Sequence, residues 1–292
     1  MATVRAAYHA GTWYDDRARS LEASIRKWME DASHPDPVGS IRALIGPHAG
    51  FAYCGHVLAH AYKGIDAGSV KRVFVIGPSH HFFSRRCLLS PATTYRSPLG
   101  DVPVDSGVYD QLKASGAFDI ASLSQDEEEH SIEMHCPFIQ HVMRERSFTL
   151  VPIIVGALSR QSEAQYARIL APFLQDPGNL FAISSDFCHW GSRFQYTRYD
   201  PTDGAIHESI KALDALGMAA IASGDAQRFA DYLQETGNTI CGRHAIAILL
   251  QALAIADLKP TIAFNKYDQS SACTRPSHSS VSYASGIVCT TS

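Results

Sequence analysis

The sequence contains no pair of cysteines in C-x-x-C spacing, although 7 of its 292 residues are cysteine. This absence argues against a zinc ribbon and against a thioredoxin-type redox motif. The cysteines are scattered and odd in number, which favours free thiols in a reducing compartment over a disulfide framework. The first residues, MATVRAAYHAGTWYDD, also lack the apolar core of a signal peptide. We therefore expect a cytoplasmic location, with the nucleus as a further one.

Long apolar runs and clusters of basic residues are also missing. No uninterrupted apolar stretch reaches the length that a helix needs to cross a bilayer, so we expect no membrane insertion. The formal net charge is -4, which gives no basic face for the phosphates of a nucleic acid. With 46% hydrophobic and 18% charged residues, the composition is typical of a globular protein with a large core.

Neither a low-complexity tract, nor an internal repeat, nor a long linker divides the chain, so we expect one domain over residues 1–292. Apolar runs alternate with segments of helical spacing. Within each run, apolar and polar residues do not alternate, which indicates strands covered on both faces. This order predicts an α/β fold, a three-layer α/β/α sandwich around a central mixed sheet whose last two strands pair antiparallel. The predicted strands are 41–46, 72–77, 148–155, 180–184, 261–267 and 280–288, and the predicted helices are 21–29, 56–63, 105–113, 131–143, 161–174, 206–223, 226–235 and 244–256.

Histidine, by contrast, is plentiful, with 14 residues, and several lie just past predicted strands. His48 and His80 each follow a strand that stops at Gly-Pro. Asp186 and His189 follow a third strand, and Cys241 precedes a helix. Ligands in open α/β sheets bind beyond the carboxyl ends of the strands. Imidazole, carboxylate and thiolate groups that converge there suit iron, copper or zinc.

Each of these residues also has an ordinary structural interpretation. A single histidine at a strand end is usually a hydrogen-bonded loop residue, and a single cysteine is usually a small buried apolar residue. Two histidines after matching Gly-Pro stops, with Asp186 and His189 at a third strand end, favour a metal or catalytic site. His81 adjoins His80 and is expected to point elsewhere, because neighbours on an extended chain face opposite sides. It remains a pocket candidate.

Two further groups are candidates for the surroundings of the pocket. His130 and Glu133, in the segment EEEHSIEMH, are three residues apart and share a helix face. They form either a solvated acidic helix start or part of the pocket that supports the ligands. Arg243, close to Cys241, binds an anion or is simply solvated. The sequence leaves both choices open.

Seven segments carry a resemblance to one known family. They are HAGTWY, PHAGFAYCG, GPSHH, EHSIEMH, SSDFCHWG, NTICGRH and SSVSYASG, in this order along nearly the whole chain. Together they resemble the Memo family (mediator of ErbB-driven cell motility). The resemblance implies a single Memo-like domain with a fold like that of the class III extradiol dioxygenases, non-haem iron enzymes that open catechol rings.

The resemblance also implies roles for individual residues. His48 and His80 match the two histidine ligands of the iron, His189 matches the acid/base histidine, and Cys241 occupies the position of the glutamate ligand. A thiolate is softer than a carboxylate and is itself oxidisable, which shifts the preference toward copper(I) or a redox role and counts against ring cleavage. Asp186 would restore a carboxylate if it reached the metal. The implied cofactor is iron(II) or copper(I), with zinc as a further candidate.

Three functions follow from these residues and this resemblance. The first is a metal-dependent redox protein in cell-motility signalling, in which Cys241 is both a ligand and a reactive group. The second is an adaptor that binds phosphotyrosine peptides of receptor kinases, although the candidate phosphate-binding residues Arg193, Arg198 and Arg243 are not flanked by other arginines. The third is an extradiol dioxygenase acting on a small aromatic diol. A homodimer is expected by analogy with similar proteins.

Overall fold

Helices cover both faces of a nine-stranded mixed sheet in the computed structural model, which describes residues 2–33 and 39–290. The strands are β1 (Val4–Arg5), β2 (Ser40–Gly46), β3 (Arg72–Pro78), β4 (Leu88–Leu89), β5 (Thr94–Ser97), β6 (Gly100–Pro103), β7 (Asp119–Ile120), β8 (Thr149–Val155), β9 (Asn179–Ser184), β10 (His189–Trp190), β11 (Pro260–Gln269) and β12 (Ser280–Thr290). The helices are α1 (Ala18–Asp31), α2 (Phe51–Tyr62), α3 (Ser106–Ala114), α4 (Leu123–Glu128), α5 (His130–Glu133), α6 (Cys136–Met143), α7 (Arg160–Gln175), α8 (Ile206–Ala222), α9 (Ala226–Thr236) and α10 (Arg243–Ile255). None of these helices is long and apolar enough to span a bilayer.

The strands of the large sheet follow the order β10-β12-β2-β9-β3-β8-β4-β7, and β11 pairs with β12 on its other edge. Its centre is parallel, because β2 pairs with β9, β9 with β3, and β3 with β8 in the same direction. The carboxyl ends of these four strands therefore lie at one edge of the sheet. The segments that follow β2, β3 and β9 all start there.

Mostly apolar runs form the central strands because helices cover both of their faces. On one face, Phe74 of β3 stacks on Phe181 of β9 with ring centroids 4.5 Å apart, and Phe173 of α7 packs against Phe74. On the other face, α2 packs against β2 and β12. A Cβ atom at Gly55 of α2 would lie 2.6 Å from the Trp28 ring, so the close approach of α1 to α2 requires glycine at this position.

The structure confirms the predicted α/β fold with helices on both sides of a mixed sheet. The last two strands pair antiparallel as predicted, and Asp105 caps α3 by accepting a hydrogen bond from the backbone N–H of Val108. The predicted helix 131–143 is wrong as one piece, since it divides into α5 and α6 around Met134 and His135.

Proline lacks the N–H that a central strand donates, so Pro152 in the sequence favours an edge strand or a bulge, but the structure corrects this interpretation of β8. The strand lies between β3 and β4, and its pairing with β3 has no bulge. The carbonyl of Pro152 accepts a hydrogen bond from the Tyr109 hydroxyl on the side away from β3. Only Ile153 and Ile154 pair with the short β4. The missing N–H of proline therefore costs no hydrogen bond of the parallel ladder.

Candidate metal centre

His48 follows the end of β2 and is fixed at two points. Its backbone N–H donates to Oδ1 of Asp186 at 2.8 Å, and its Nδ1 lies 2.6 Å from the Ser184 hydroxyl. That hydroxyl donates its only proton to the carbonyl of Ser131 at 2.6 Å. Nδ1 of His48 must therefore carry a proton, which leaves a lone pair on Nε2. Burial and the neighbouring histidines hold the pKa of His48 well below its ordinary value, so the ring is neutral.

His80 follows the end of β3 and is held by a buried carboxylate. Glu129 accepts the backbone N–H of His80 at 2.5 Å and its Nδ1–H at 2.9 Å. Burial opposes the charged form of His80, but its hydrogen bonds with Cys241 and Glu129 outweigh that effect and raise the pKa to about 10. Burial also opposes ionisation of Glu129, yet His80 and the N–H of Ser131 lower its pKa to about 2. A carboxylate on Nδ1 directs Nε2 of His80 to the opposite side, as in histidines that bind metals.

Cys241 lies directly before α10, and its Sγ is 3.2 Å from Nε2 of His48. The same sulfur accepts the backbone N–H of Asp186 at 3.2 Å. Of the seven cysteines, which all lie in the described ranges, it is the one with a partly exposed side chain. Burial raises the pKa of its thiol, although His80 opposes the shift. A Cβ at Gly242 would lie 2.5 Å from the carbonyl oxygen of Ser184, so glycine lets this segment pack directly on β9.

His48, His80 and Cys241 bring three ligand atoms within 4.8 Å of one another. A tetrahedral ion with bonds of about 2.0 Å to nitrogen and 2.3 Å to sulfur would place such atoms about 3.5 Å apart. The 3.2 Å separation between Nε2 of His48 and Sγ of Cys241 is close to that value. His48 offers a free lone pair, His80 offers one once a metal displaces the proton on its Nε2, and with the sulfur they form a donor set that fits copper, iron or zinc.

Asp186 and His189 occupy the loop after β9, close to this group. The Asp186 carboxylate accepts the backbone N–H of His48 and is not part of the converging set. Burial raises its pKa to about 7, although that hydrogen bond opposes the shift. Nδ1 of His189 lies 2.9 Å from the carbonyl of Phe187 and 3.1 Å from that of Thr239, so Nδ1 carries the proton and Nε2 is free. Burial lowers the pKa of His189, which keeps its ring neutral.

A cavity of about 560 Å³ opens in front of these side chains. It has room for a small organic molecule. Its walls combine all five predicted central residues with apolar, aromatic and polar neighbours from six segments. The residues of the wall are Trp13, His48, Ala49, His80, His130, Asp186, His189, Phe194, Thr239, Cys241, Arg243 and Val281.

His130 belongs to the wall of this cavity, whereas His81 lies outside it. The ring of His130 stacks between His80 and Trp13, with centroid distances of 4.4 and 4.3 Å. Its buried Nδ1 is 3.6 Å from Oε1 of Glu129 and has no hydrogen-bond partner among the described residues. Burial and the charge of His80 lower the pKa of His130 to about 3. His81 is exposed and meets the edge of the His130 ring at 5.7 Å.

Glu133 faces away from the cavity, toward the amino-terminal segment. Its carboxylate binds Nη1 of Arg5 at 2.6 Å, the hydroxyl of Tyr14 at 2.6 Å, and both the backbone N–H and Nδ1 of His9 at 2.9 Å. Burial favours its neutral form, but the hydrogen bonds from His9 and Tyr14 and the charge of Arg5 lower its pKa to about 2. Glu133 therefore anchors the chain start that carries Trp13 into the cavity wall.

We expect the free energy of unfolding to fall with acid because of Glu133. Its pKa is depressed in the folded state, so its contribution is complete above pH 4.5, the ordinary value, and is lost as the pH falls toward 2. The loss amounts to about 3 kcal/mol in total and at most about 1.4 kcal/mol per pH unit. Urea unfolding measured from pH 5 to pH 3 should show a shallower pH slope for Glu133→Gln than for the wild type. Glu145→Gln, at a side chain that is 84% exposed, should leave the slope unchanged, and an unchanged slope in Glu133→Gln would contradict the argument.

Arg243 stands at the start of α10 with an exposed side chain that borders the cavity. Its Nη1 donates to the carbonyl of Ile240 at 3.3 Å, which leaves most of the guanidinium free. A second, smaller cavity of about 170 Å³ shares His80, Cys241 and Arg243 with the first. Arg243 can therefore meet a ligand in either space.

Sequence reasoning missed the partners that orient the two histidines. Glu129 is one of three consecutive glutamates, and no pattern in the sequence separates it from Glu127 and Glu128. Ser184 ends a strand as one of two adjacent serines, so its contact with His48 was equally hidden. Trp13, which closes one side of the cavity, belongs to the HAGTWY segment, and that segment was the available signal for it.

The fold and the site define an α/β protein with two histidines and one cysteine converging at the carboxyl edge of a largely parallel sheet. The family model described as Memo-like protein matches residues 5–287. Protein MEMO1 of Danio rerio is 48% identical over 291 residues, which is 97% of each chain. Protein MEMO1 of Homo sapiens is 44% identical over 289 residues, again 97% of each chain. The chain belongs to the Memo family.

A solved structure supports the fold independently of close sequence similarity. An uncharacterized protein from Escherichia coli K12 aligns with a TM-score of 0.51 over 83% of this chain and 98% of that chain. Since the two sequences are only 14% identical, this likeness concerns the fold alone.

Proposed function

We propose that this protein binds one transition-metal ion, iron(II) or copper(I), through His48, His80 and Cys241, and uses it in a redox role in cell signalling. One observation supports this above all: three ligand atoms from three separate segments lie within 4.8 Å of one another. Hydrogen bonds behind the two imidazoles turn their Nε2 atoms toward that point. Bound iron or copper would supply one-electron chemistry there.

The surrounding side chains have definite tasks in this proposal. Glu129 and Ser184 orient the two imidazoles and fix their tautomers, which is the usual role of groups behind a metal ligand. His189 presents a neutral Nε2 to the cavity, where it can accept a proton from a bound molecule. Trp13 and Phe194 give the cavity apolar walls that reduce the access of water.

The donor set favours a redox role over catechol cleavage. Extradiol dioxygenases use two histidines and a carboxylate, which leave open positions on iron. Here the sulfur of Cys241 stands where a carboxylate is expected, and the Asp186 carboxylate instead accepts the backbone N–H of His48. Zinc fits the same donors, and direct competition between the metals would compare its affinity with those of iron and copper.

A second candidate function, the binding of phosphotyrosine peptides of receptor kinases, is favoured by the cavity rim. The exposed guanidinium of Arg243 borders the cavity, and that of Arg193 lies 4.4 Å from the ring centre of Phe194 in the cavity wall. Guanidinium groups are well suited to phosphate. An aromatic wall beside them suits a phenyl phosphate. Measuring the affinity for a phosphotyrosine peptide with and without bound metal would show whether the two uses of the cavity compete.

Anaerobic titration of reduced protein tests the metal proposal. We expect one equivalent of iron(II) or copper(I) to bind, and zinc(II) to compete for the same position. Elemental analysis after desalting gives the stoichiometry, and equilibrium competition with a chelator gives the affinity. Absence of stoichiometric binding by all three metals would overturn the proposal.

A further inference from the structure

Asp214, in the middle of α8, is a fully buried carboxylate surrounded by hydrogen-bond donors. Its Oδ1 accepts the side-chain N–H of Asn238 at 2.9 Å and the backbone N–H of Cys188 at 3.3 Å. Its Oδ2 accepts the hydroxyl of Tyr267 at 2.9 Å. A carboxylate only accepts hydrogen bonds, so it satisfies all three donors at once.

The amide of Asn238 shows that these bonds are specific. Its Nδ2 donates both to Asp214 and to the hydroxyl of Tyr232, at 2.9 and 2.7 Å. Its Oδ1 is buried without a hydrogen-bond partner among the described residues. Rotating the amide would place that oxygen against the Asp214 carboxylate. The orientation of the Asn238 side chain is therefore set by the two hydrogen bonds that its Nδ2 donates, although its Oδ1 is left without a donor.

These contacts lead directly to the candidate metal centre. Cys188 precedes His189, and Asn238 lies three residues before Cys241. The two segments are also tied to each other, because Oγ1 of Thr239 accepts the N–H of His189 at 2.7 Å and donates to its carbonyl at 3.0 Å. Asp214 joins the bases of both segments, one bearing a candidate acid/base residue and the other a candidate ligand.

We propose that Asp214 is a positioning residue of this site, whose carboxylate holds the segments 188–189 and 238–241 at the spacing that brings His189 and Cys241 to one cavity. The proposal rests on the proposed metal-binding function. Asp214 itself lies outside the cavity wall. Burial raises its pKa to about 6, although its hydrogen bonds oppose the shift. The carboxylate occupies a buried position that an apolar side chain could fill, and its three hydrogen-bond donors give it a definite role there.

Cobalt(II) is the probe for this proposal, because a cysteine thiolate bound to it gives a charge-transfer absorption that reports the metal–sulfur geometry. Asp214→Asn keeps the size of the side chain, but its amide N–H2 replaces one of the two carboxylate oxygens and therefore faces other hydrogen-bond donors. We expect it to weaken cobalt(II) affinity by about 10- to 100-fold, as for other groups behind metal ligands, and to shift the thiolate band. In metal-free protein, the rate of Cys241 alkylation by iodoacetamide, mapped by peptide mass, should change several-fold.

Asp105→Asn is the matched control, since Asp105 caps α3 and binds Arg72 and Thr149 at the opposite edge of the sheet. It should lower the thermal midpoint without moving the cobalt band or the alkylation rate. If Asp214→Asn lowers the midpoint but leaves band, affinity and alkylation rate as in the wild type, Asp214 has only a structural role and the proposal is wrong. If the wild type binds no cobalt(II), iron(II) or copper(I), the metal function fails, and the alkylation rate alone decides whether Asp214 positions Cys241.

Discussion

Replacing His48 or Cys241 with alanine is expected to weaken the binding of iron(II) or copper(I) by about 100- to 1,000-fold. Four-ligand zinc sites bind with about 10–16 kcal/mol, so one ligand contributes about 3–4 kcal/mol. In this site the loss should be at least as large, because three rather than four protein ligand atoms converge among the described residues. Competition with a chelator of known affinity, carried out anaerobically, measures the change for each variant.

His135→Ala is the matched control for this experiment. His135 is fully buried like His48, its Nδ1 is 2.8 Å from the Tyr62 hydroxyl, and it is not one of the converging ligands. Its replacement should cost stability by leaving a cavity and an unpaired hydroxyl, yet keep the metal affinity within a few-fold of the wild type. Wild-type affinity in both His48→Ala and Cys241→Ala would show that the metal binds elsewhere.

The central layer of the fold could be predicted because its signal is local. The runs at 41–46, 72–77 and 180–184 are mostly apolar, and the structure places them as neighbouring parallel strands. Parallel strands bring their carboxyl ends together, so the residues after each Gly-Pro stop had to meet. His48 and His80 are close for that reason, with ring centroids 5.1 Å apart.

The remaining features depend on contacts between distant segments. Strands β1, β5 and β6 are two to four residues long and form a small sheet of their own, too short for any periodicity to show. The break between α5 and α6, by contrast, has a local cause that sequence reasoning missed: Pro137 has no N–H to continue the helix and lies in the first turn of α6. The metal, the phosphopeptide partner and the roles of the individual site residues stay predictions that the experiments above address, and the homodimer also stays a prediction.

Arg5 shows how strongly the amino-terminal segment is tied to the site. Its side chain is fully buried, and its Nη2 donates to the carbonyls of Asp126 and Glu129 at 3.0 and 2.9 Å. Its Nη1 binds the Glu133 carboxylate at 2.6 Å. Burial opposes the charge of Arg5, but the carboxylates of Glu133 and Asp126 and the Tyr95 phenol outweigh it, so its pKa is raised. One guanidinium thus fixes the backbone of the glutamate that orients His80.

Arg5→Met is therefore expected to lower the free energy of unfolding by about 3–5 kcal/mol, because it leaves the Glu133 charge and several carbonyls buried without their partner. Urea unfolding at pH 7 measures the change. The double variant Arg5→Met/Glu133→Gln should recover part of the loss, since it removes the uncompensated charge as well. Arg96→Met is the control: Arg96 pairs with Asp101 at an exposed position, so its loss should cost at most about 1 kcal/mol. Equal effects of Arg5→Met and Arg96→Met would mean that the buried pair does not hold this segment in place.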